Sequence, residues 1–452
     1  MHDTPDIADR RDAVCVIGAG ASGLAAIKNL REHGFAVDCY ERETSVGGAW
    51  NWRHDRSPVY ASTHLISSRP LTEFPDFPMP DSWPDYPHHS QVLSYLERYA
   101  KHFGLGEHIW FGTEVVSAVP VGDGRWDVTT QSTGGGSSRV QRYAAVIVAN
   151  GHNWSPAKPE IPGANSPGAL RGQVIHSDKY KDPAQLRGRK VLVIGGGNTG
   201  CDIAVEAAQQ AGTVWHSTRR GYWYAPKYVL GRPADQVNDR LLRLRLPLRL
   251  RQWFYRRTLA LTTGDLTRFG LPEPDHRPYE SHPVVNSQLP YFLGHGRIKP
   301  VPDVVRFADG KVELADGRRI DPELVITATG YVPRFEFLAP ELLDSDPDGR
   351  PDLHLHAFAR KHPTLAVVGL LQPDAGLLPL AHWQSVAVAR WLRLRIDDPV
   401  RAAAVQQKES ARPIRSWSKR QVVPSRRHWF EVDHLDYLKA VGGLLREMEP
   451  AK

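Results

Sequence analysis

The sequence has little cysteine and no long apolar run, and each absence argues against a class of protein. Its 452 residues include three cysteines, Cys15, Cys39 and Cys201. None forms a Cys-x-x-Cys pair, which argues against a disulfide oxidoreductase, and no metal-ligand spacing occurs. No segment approaches the roughly 18 apolar residues of a membrane-spanning helix, and residues 1–12 lack a signal-peptide core. We therefore predict a cytoplasmic protein with no transmembrane segment and no metal site.

Basic residues are in slight excess but are not concentrated in any run. The net charge of +7 comes from 57 Lys and Arg against 50 Asp and Glu. No nucleic-acid-binding motif accompanies it, so nucleic acid is not an expected partner. A hydrophobic content of 41% over this length is enough for two or three domains with full cores.

A glycine-rich loop follows the first apolar segment of the chain. Residues 14–17 are typical of a buried parallel strand, and Gly-x-Gly-x-x-Gly comes directly after them. In such a loop Gly18 permits a tight turn, Gly20 lets a pyrophosphate approach the backbone, and Gly23 lets helix and strand pack closely. The second apolar segment ends at Glu41, where a carboxylate would bind ribose hydroxyls. The candidate residues of this dinucleotide site are Gly18, Gly20, Ser22, Gly23, Glu41, Arg42, Gly48 and Trp50.

The same pattern occurs again in residues 191–200, but its second strand ends differently. There the chain continues with Ser217, Thr218 and two arginines and carries no acid. A carboxylate would repel a 2′-phosphate, whereas hydroxyl and guanidinium groups would bind it. The first loop therefore suits FAD and the second NADPH, although the arginines could instead form a solvated basic turn. The candidate residues of the second site are Gly195, Gly197, Asn198, Thr199, Gly200, Ser217, Thr218, Arg219 and Arg220.

Two loops of this kind predict an α/β fold with two Rossmann-like domains. We expect the NADPH domain to be inserted in the FAD domain, with boundaries at 1–160, 161–324 and 325–452. The NADPH domain would carry an insert at about 222–290, in which residues 240–257 alternate Arg and Leu around Pro247. This basic stretch favours a covering segment or a subunit contact over a membrane-surface patch. A homodimer is therefore left open.

Further motifs, taken in order with the two loops, make the chain resemble the flavin-containing monooxygenases, which are class B flavoprotein monooxygenases. The resemblance covers roughly residues 12–400. The matching segments are Gly47-Gly48-Ala49-Trp50, Phe74-Pro75-Asp76-Phe77-Pro78, the motif at 170–180 with Leu170 replacing phenylalanine, Ala328-Thr329-Gly330-Tyr331, and Gly369-Leu370-Leu371-Gln372-Pro373.

The resemblance implies roles for residues that no local pattern assigns. Thr329, Gly330 and Gln372 would lie near the cofactors, and His176 would form a structural hinge between the domains. Tyr180 stands where the related Baeyer–Villiger monooxygenases usually have tryptophan, which favours oxygenation of a heteroatom.

The resemblance also implies a reaction. NADPH would reduce FAD, the reduced flavin would form a C4a-hydroperoxide with O2, and an amine nitrogen or sulfide sulfur would attack its distal oxygen. The alternatives are a Baeyer–Villiger oxygenase acting on a ketone and a largely uncoupled NADPH oxidase. A non-catalytic FAD-binding scaffold is a third alternative, against which the second loop argues.

One departure from the family pattern concerns the segment before residue 69. Three positions ahead of Arg69, where the family commonly has asparagine, this sequence has Ile66, followed by Ser67 and Ser68. An asparagine offers donors and an acceptor near the flavin and NADP+, whereas isoleucine offers none. NADP+, backbone groups or the two serines would have to supply the missing donors.

If these groups do not supply the missing donors, much of the NADPH consumed should emerge as hydrogen peroxide. We therefore predict poorer coupling than in a family member with asparagine, and that Ile66→Asn lowers the yield of peroxide per NADPH. The introduced amide must find partners or cost about 1–3 kcal/mol, and bound NADP+ would pair it. The ratio of peroxide formed to NADPH oxidised measures the effect. A ratio that Ile66→Asn leaves unchanged or increases would contradict the prediction.

Overall fold

The chain alternates strands and helices throughout, as an α/β protein does. The structure, a computed structural model, describes residues 8–164, 166–411, 423 and 425–449. In chain order the described strands are β1 Ala8–Ile17, β2 Ala36–Tyr40, β3 Ile109–Trp110, β4 Thr113–Pro120, β5 Trp126–Ser132, β6 Arg139–Val148, β7 Gln173–His176, β8 Lys190–Ile194, β9 Thr213–Ser217, β10 Tyr224–Ala225, β11 Tyr228–Val229, β12 Arg232–Pro233, β13 Val284–Val285, β14 Lys299–Val301, β15 Val304–Ala308, β16 Lys311–Leu314, β17 Arg319–Ile320, β18 Leu324–Thr327, β19 Leu353–His354, β20 Phe358–Ala359, β21 Leu365–Val367, β22 Gln372–Pro373 and β23 Glu431–Val432. The described α-helices are α1 Ala21–Glu32, α2 Arg69–Thr72, α3 His89–His102, α4 Asn198–Gln210, α5 Ala234–Arg243, α6 Leu248–Thr262, α7 Leu289–Gly294, α8 Leu377–Asp397, α9 Pro399–Ser410 and α10 His434–Met448.

The larger sheet is built from both ends of the chain. Its order is β19-β20-β21-β6-β1-β2-β3, and β5 and β4 extend it from β6. Strand β1 pairs in parallel with β2 and β6, and β21, more than two hundred residues further on, pairs in parallel with β6. Helices α1, α8 and α10 pack together on this sheet, where their apolar faces form the largest core cluster. The predicted arrangement, with one domain inserted in the other, is confirmed.

The second sheet contains five parallel strands in the order β14-β9-β8-β18-β7. Strand β18 lies between β7 and β8, and Leu324, Val325 and Ile326 within it are at most 1% exposed. The second domain therefore reaches at least to the end of β18. The boundary predicted after residue 324 is too early, because it would remove a central strand from this sheet.

The insert contains two helices, α5 and α6, separated by residues 244–247, and Pro247 directly precedes the first residue of α6. Helix α5 covers other parts of the chain, because Asp235 accepts a hydrogen bond from the Ser68 amide and Asp239 from His434. Helix α6 is more open, with Trp253 50% and Leu261 88% exposed. Among the helices that the structure describes, none combines the length and apolar character needed to cross a membrane.

Candidate functional site

The glycines of the first loop serve two separate purposes. A Cβ on Gly18, which has φ +100°, would lie 2.7 Å from the Ala149 carbonyl oxygen, and a Cβ on Gly23 would lie 1.8 Å from the Gly18 carbonyl oxygen. Both positions are therefore closed to side chains by the protein itself. Gly20 differs, because its φ is −73° and the nearest atom to a Cβ would be Gly48 Cα at 3.5 Å. The fold leaves room for a methyl group at Gly20, so the absence of one is explained by a ligand that approaches the backbone there.

A second backbone segment closes the first loop from the other side. Gly48 has φ +51°, and a Cβ on it would lie 2.9 Å from Gly20 Cα. Trp50, in the same turn, is half-buried against the core. The end of β21 also meets helix α1 here, since a Cβ on Gly369 would lie 2.0 Å from Ser22 Oγ. These contacts bring the predicted FAD residues of the two chain segments together.

Glu41 is held in place by the loop that it follows. Its Oε2 accepts a hydrogen bond from the Ala19 amide at 2.7 Å, and its Oε1 accepts one from the Glu43 amide at 2.9 Å. Burial raises the pKa of Glu41 above its ordinary value. A carboxylate has about four acceptor positions, so two remain for ribose hydroxyls. Arg42 instead pairs with Glu114 at 3.0 Å.

The second loop repeats the packing of the first. A Cβ on Gly195, which has φ +132°, would lie 2.3 Å from the Ala328 carbonyl oxygen, and one on Gly200 would lie 1.9 Å from the Gly195 carbonyl oxygen. Gly197 again has room for a methyl group, with Arg427 Nη2 the nearest atom at 3.7 Å. Helix α4 begins with Asn198 and Thr199 and carries no acid in its first turn. Its N-terminus can therefore bind an anion.

The residues after β9 divide into bonded and available groups. Ser217 Oγ donates to the Pro302 carbonyl oxygen at 2.9 Å, and Arg220 forms two bonds to Asp275 at 2.6 and 3.0 Å. Thr218 is 2% exposed, and within the described part of the chain its Oγ1 has no hydrogen-bond partner. Arg219 is exposed beside it. Arg219 is therefore open to a phosphate, and Thr218 offers a buried hydroxyl without a partner among the described residues.

His176 and Tyr180 lie at the junction between the domains and are bonded to protein groups. His176 Nε2 donates to the Gly330 carbonyl oxygen at 3.1 Å, while Nδ1 accepts from the Asp178 amide at 3.3 Å. Burial lowers the pKa of His176 from its ordinary value, although Asp178 Oδ1 lies 3.1 Å from Nδ1 and acts to raise it. Tyr180 is fully buried and donates to Glu206 Oε2 at 2.5 Å. Both residues are therefore bonded to protein groups rather than facing open space, and the Tyr180 ring packs against Tyr60 of the first domain.

The remaining cofactor candidates are connected to neighbouring segments. Asn198 Oδ1 accepts from the Val285 amide at 2.8 Å, which ties the second loop to the insert. Thr329 Oγ1 donates to the Ala157 carbonyl oxygen at 2.6 Å. The backbone amide of Gln372 donates to the Phe430 carbonyl oxygen at 2.7 Å, so Gln372 links the end of the first sheet to the C-terminal segment.

The segment of Ile66, Ser67 and Ser68 offers an apolar side chain and hydroxyl groups that are already bonded. Ile66 is 45% exposed. Ser67 Oγ lies 2.7 Å from Thr72 Oγ1, which in turn donates to the Ser68 carbonyl oxygen. Ser68 is fully buried against Asp235, and its Oγ accepts from Gln236. The serines are thus committed to protein partners and do not replace the donors that Ile66 lacks.

One group of residues has a spacing that a metal ion could use. Ligand atoms of Asp374, Asp433 and His434 lie within 4.8 Å of one another. However, His434 Nδ1 lies 2.9 Å from Asp374 and Nε2 lies 3.0 Å from Asp239. Burial acts to lower the pKa of His434, but these carboxylates outweigh it and raise the pKa to about 9. A protonated histidine has no lone pair for a metal, so this group acts as a salt bridge.

Two residues near the second loop were missed by the sequence analysis. Tyr222 covers the loop, since a Cβ on Gly196 would lie 2.6 Å from its ring. Arg427 donates from Nη1 to the Tyr222 hydroxyl at 2.7 Å. Only the position of Tyr222, shortly after Arg219 and Arg220, gave a local indication. Arg427 lies more than two hundred residues away and has no local motif.

We predict that Gly20→Ala abolishes FAD binding without loss of the fold. The methyl group fits the protein but occupies the space of the pyrophosphate. Flavin absorbance per protein and the unfolding temperature of the flavin-free form measure the two effects. Gly122→Ala, in open space, is the matched control. Full flavin content in Gly20→Ala would contradict this placement of the pyrophosphate.

The raised pKa of His434 predicts a pH dependence of stability. Because the folded pKa exceeds the ordinary 6.5, the stabilisation is complete below pH 6.5 and is lost as the pH rises through about 9. It amounts to at most about 3 kcal/mol. Thermal unfolding of wild type and His434→Gln across this pH range tests the effect, with the exposed His295→Gln as control. Parallel curves for wild type and His434→Gln would contradict it.

The chain matches the flavin-binding monooxygenase-like family over residues 11–446. It is 34% identical to flavin-containing monooxygenase 5 of Oryctolagus cuniculus over 458 aligned residues, which cover 96% of this chain and 82% of the relative. It is also 34% identical to dimethylaniline monooxygenase [N-oxide-forming] 2 of Mus musculus, over 84% of this chain and 72% of that protein.

A solved structure shares the whole architecture. Cyclohexanone monooxygenase from Rhodococcus sp. Phi1 bound to NADP+ superposes with a TM-score of 0.68 at 19% identity, covering 98% of each chain. At this identity the likeness concerns the fold. Together with the family match and the two dinucleotide loops, it identifies the chain as a member of the flavin-binding monooxygenase-like family, whose enzymes use FAD and NADPH.

Proposed function

We propose that this enzyme oxygenates the nitrogen of amines or the sulfur of sulfides, with FAD at the first loop and NADPH at the second. The similarity to an N-oxide-forming relative supports the class of substrate. Tyr180, at the position where the related Baeyer–Villiger enzymes usually have tryptophan, supports it as well.

The residues present fit both cofactors. At the first loop, Gly20 and Gly48 present backbone without side chains on two facing segments. Glu41 retains acceptor positions for ribose hydroxyls. At the second loop, the unpaired Thr218 Oγ1 and the exposed Arg219 suit a 2′-phosphate. When bound, the flavin and the nicotinamide supply the redox and oxygen-activating chemistry.

The chain itself contributes binding, orientation and the exclusion of water. The bonds of Glu41 hold the first loop in the shape that a pyrophosphate requires. The Tyr60 hydroxyl, from the first domain, donates to Asp202 on helix α4, which helps the two loops keep a fixed relation. No proton transfer by these residues is needed, because a neutral amine or sulfide reacts through its own lone pair.

The observation that carries the proposal is the bonding of the 66–68 segment. A ketone that is oxygenated develops negative charge on its carbonyl oxygen, which needs hydrogen-bond donors. Ile66 has no donor, Ser67 is bonded to Thr72, and Ser68 is buried against Asp235. A soft nucleophile requires no such donor, and it tolerates the apolar surface that Ile66 presents.

To test this, the flavin-loaded enzyme is incubated separately with dimethylaniline, a dialkyl sulfide and cyclohexanone, each in the presence of NADPH and ¹⁸O₂. We expect an N-oxide or sulfoxide that carries one ¹⁸O, identified by mass spectrometry, and no lactone. A lactone as the main product would overturn the proposal in favour of Baeyer–Villiger oxygenation. Peroxide as the only product would assign an uncoupled NADPH oxidase.

We further propose that the enzyme acts in the cytoplasm. The three cysteines are free and buried, which suits a reducing compartment. NADPH is also available there.

For the choice of nicotinamide, we predict that Arg219→Ala weakens NADPH binding more than NADH binding. Loss of a charge-assisted bond to the 2′-phosphate is worth about 1.5–3 kcal/mol, or roughly tenfold to a hundredfold. KM values for both cofactors measure the change. Equal changes for NADPH and NADH would make Arg219 structural and leave Thr218 as the phosphate ligand.

A further inference from the structure

Arg427 brings a guanidinium to the second dinucleotide loop from the far end of the chain. Its Nη2 lies 3.7 Å from the place of a Cβ on Gly197, the residue that precedes helix α4. The same guanidinium acts electrostatically on Cys201, in the first turn of α4, and so lies over the start of that helix.

The position is unfavourable for a cation that stands alone. The amino end of a helix carries partial positive charge, and α4 has no acidic residue in its first turn to offset it. A second positive group is stabilised there only when an anion lies between it and the helix. The arrangement of Arg427 and α4 therefore matches a phosphate group.

Tyr222 holds the guanidinium in this place. The Arg427 guanidinium lies 4.8 Å from the centre of the Tyr222 ring, and its Nη1 donates to the Tyr222 hydroxyl at 2.7 Å. Tyr222 in turn packs on Gly196, where a Cβ would lie 2.6 Å from the ring. Both contacts leave other N–H groups of the guanidinium free to bind a ligand.

The segment that carries Arg427 runs from the second loop to the first sheet. His428 lies 2.7 Å from Glu431 Oε1, and Glu431 also accepts from the His282 amide. Strand β23, which contains Glu431, pairs with β22 at Gln372. Arg427 is thus held in place by its neighbour His428, which belongs to a buried polar cluster.

We propose that Arg427 binds the pyrophosphate of the nicotinamide dinucleotide, opposite the amino end of helix α4. The inference rests on the proposed placement of NADPH at the second loop. The two arginines of that site would then have different roles. Arg219 would bind the 2′-phosphate, which NADPH has and NADH lacks, and Arg427 would bind the pyrophosphate, which NADPH and NADH share.

The experiment measures dissociation constants of NADP+ and NAD+ by calorimetry, using flavin-loaded wild type and Arg427→Gln. Loss of a charge-assisted contact should weaken both ligands by a similar factor, about tenfold to a hundredfold. Raising the salt concentration should weaken binding less in Arg427→Gln than in wild type, because one ionic contact is gone.

Three further variants make the result specific. Arg426→Gln removes the same charge from the neighbouring residue, whose guanidinium stacks on Trp429, and should leave both constants unchanged. Arg219→Ala should weaken NADP+ and spare NAD+. Tyr222→Phe keeps the ring but loses the hydroxyl, and should weaken both ligands less than Arg427→Gln does.

The outcomes separate this inference from the function on which it rests. Wild-type protein that binds neither dinucleotide would reject the NADPH site itself. Wild-type binding with unchanged constants in Arg427→Gln would overturn the role of Arg427 alone. Equal weakening in Arg426→Gln and Arg427→Gln would show a general effect of charge and would also overturn it.

Discussion

The two cofactor sites depend on one packing constraint, which is that backbone meets backbone where a strand turns into a helix. In the first loop the Gly18 carbonyl oxygen occupies the space of a side chain on Gly23, and in the second the Gly195 carbonyl oxygen does the same at Gly200. Because no side chain intervenes, helix and strand lie close and the amino end of the helix faces a phosphate. The middle glycine of each loop is free of this constraint. Its lack of a side chain is therefore explained by the ligand, which needs the space next to the backbone.

A second set of contacts fixes the two sites relative to each other. Tyr60, from the first domain, donates to Asp202 on helix α4, and Tyr180 donates to Glu206 one turn further along. Asn286 of the insert donates to the same Asp202. Burial raises the pKa of Asp202 to about 6. The tyrosine rings pack together, with centres 5.5 Å apart. The domain junction is therefore a buried polar network, which suits an enzyme that must pass a hydride between cofactors held by different domains.

Local sequence was sufficient wherever a short segment determines the structure. The turn, the close approach and the helix start of each loop all lie within ten residues, so the glycine spacing predicted them. The acid at Glu41 and its absence after Ser217 were equally local, and the cofactors assigned from this difference agree with the family. The domain boundary at residue 324 was placed too early, because the position of β18 in the second sheet depends on pairing with β7 and β8, which lie far from it in the sequence.

Contacts between distant segments could not be predicted. Arg219 and Arg220 are equivalent in the sequence, yet Asp275, in the insert, binds Arg220 and leaves Arg219 exposed. In the sequence, Ser67 and Ser68 were possible hydrogen-bond donors to the flavin. The structure shows that Thr72 and Asp235 bond them instead. Arg427 reaches the second loop from a C-terminal segment that is held by the pairing of β23 with β22 and by the bond from the His282 amide to Glu431.

The two loops are expected to hold FAD and NADPH so that a hydride passes between them. Mixing the flavin-loaded protein with NADPH in the absence of oxygen tests this most directly, with flavin absorbance as the signal. We expect the yellow colour to bleach and to return when oxygen is admitted. A protein that binds both dinucleotides but stays yellow without oxygen would contradict it and would make the chain a flavin-binding scaffold.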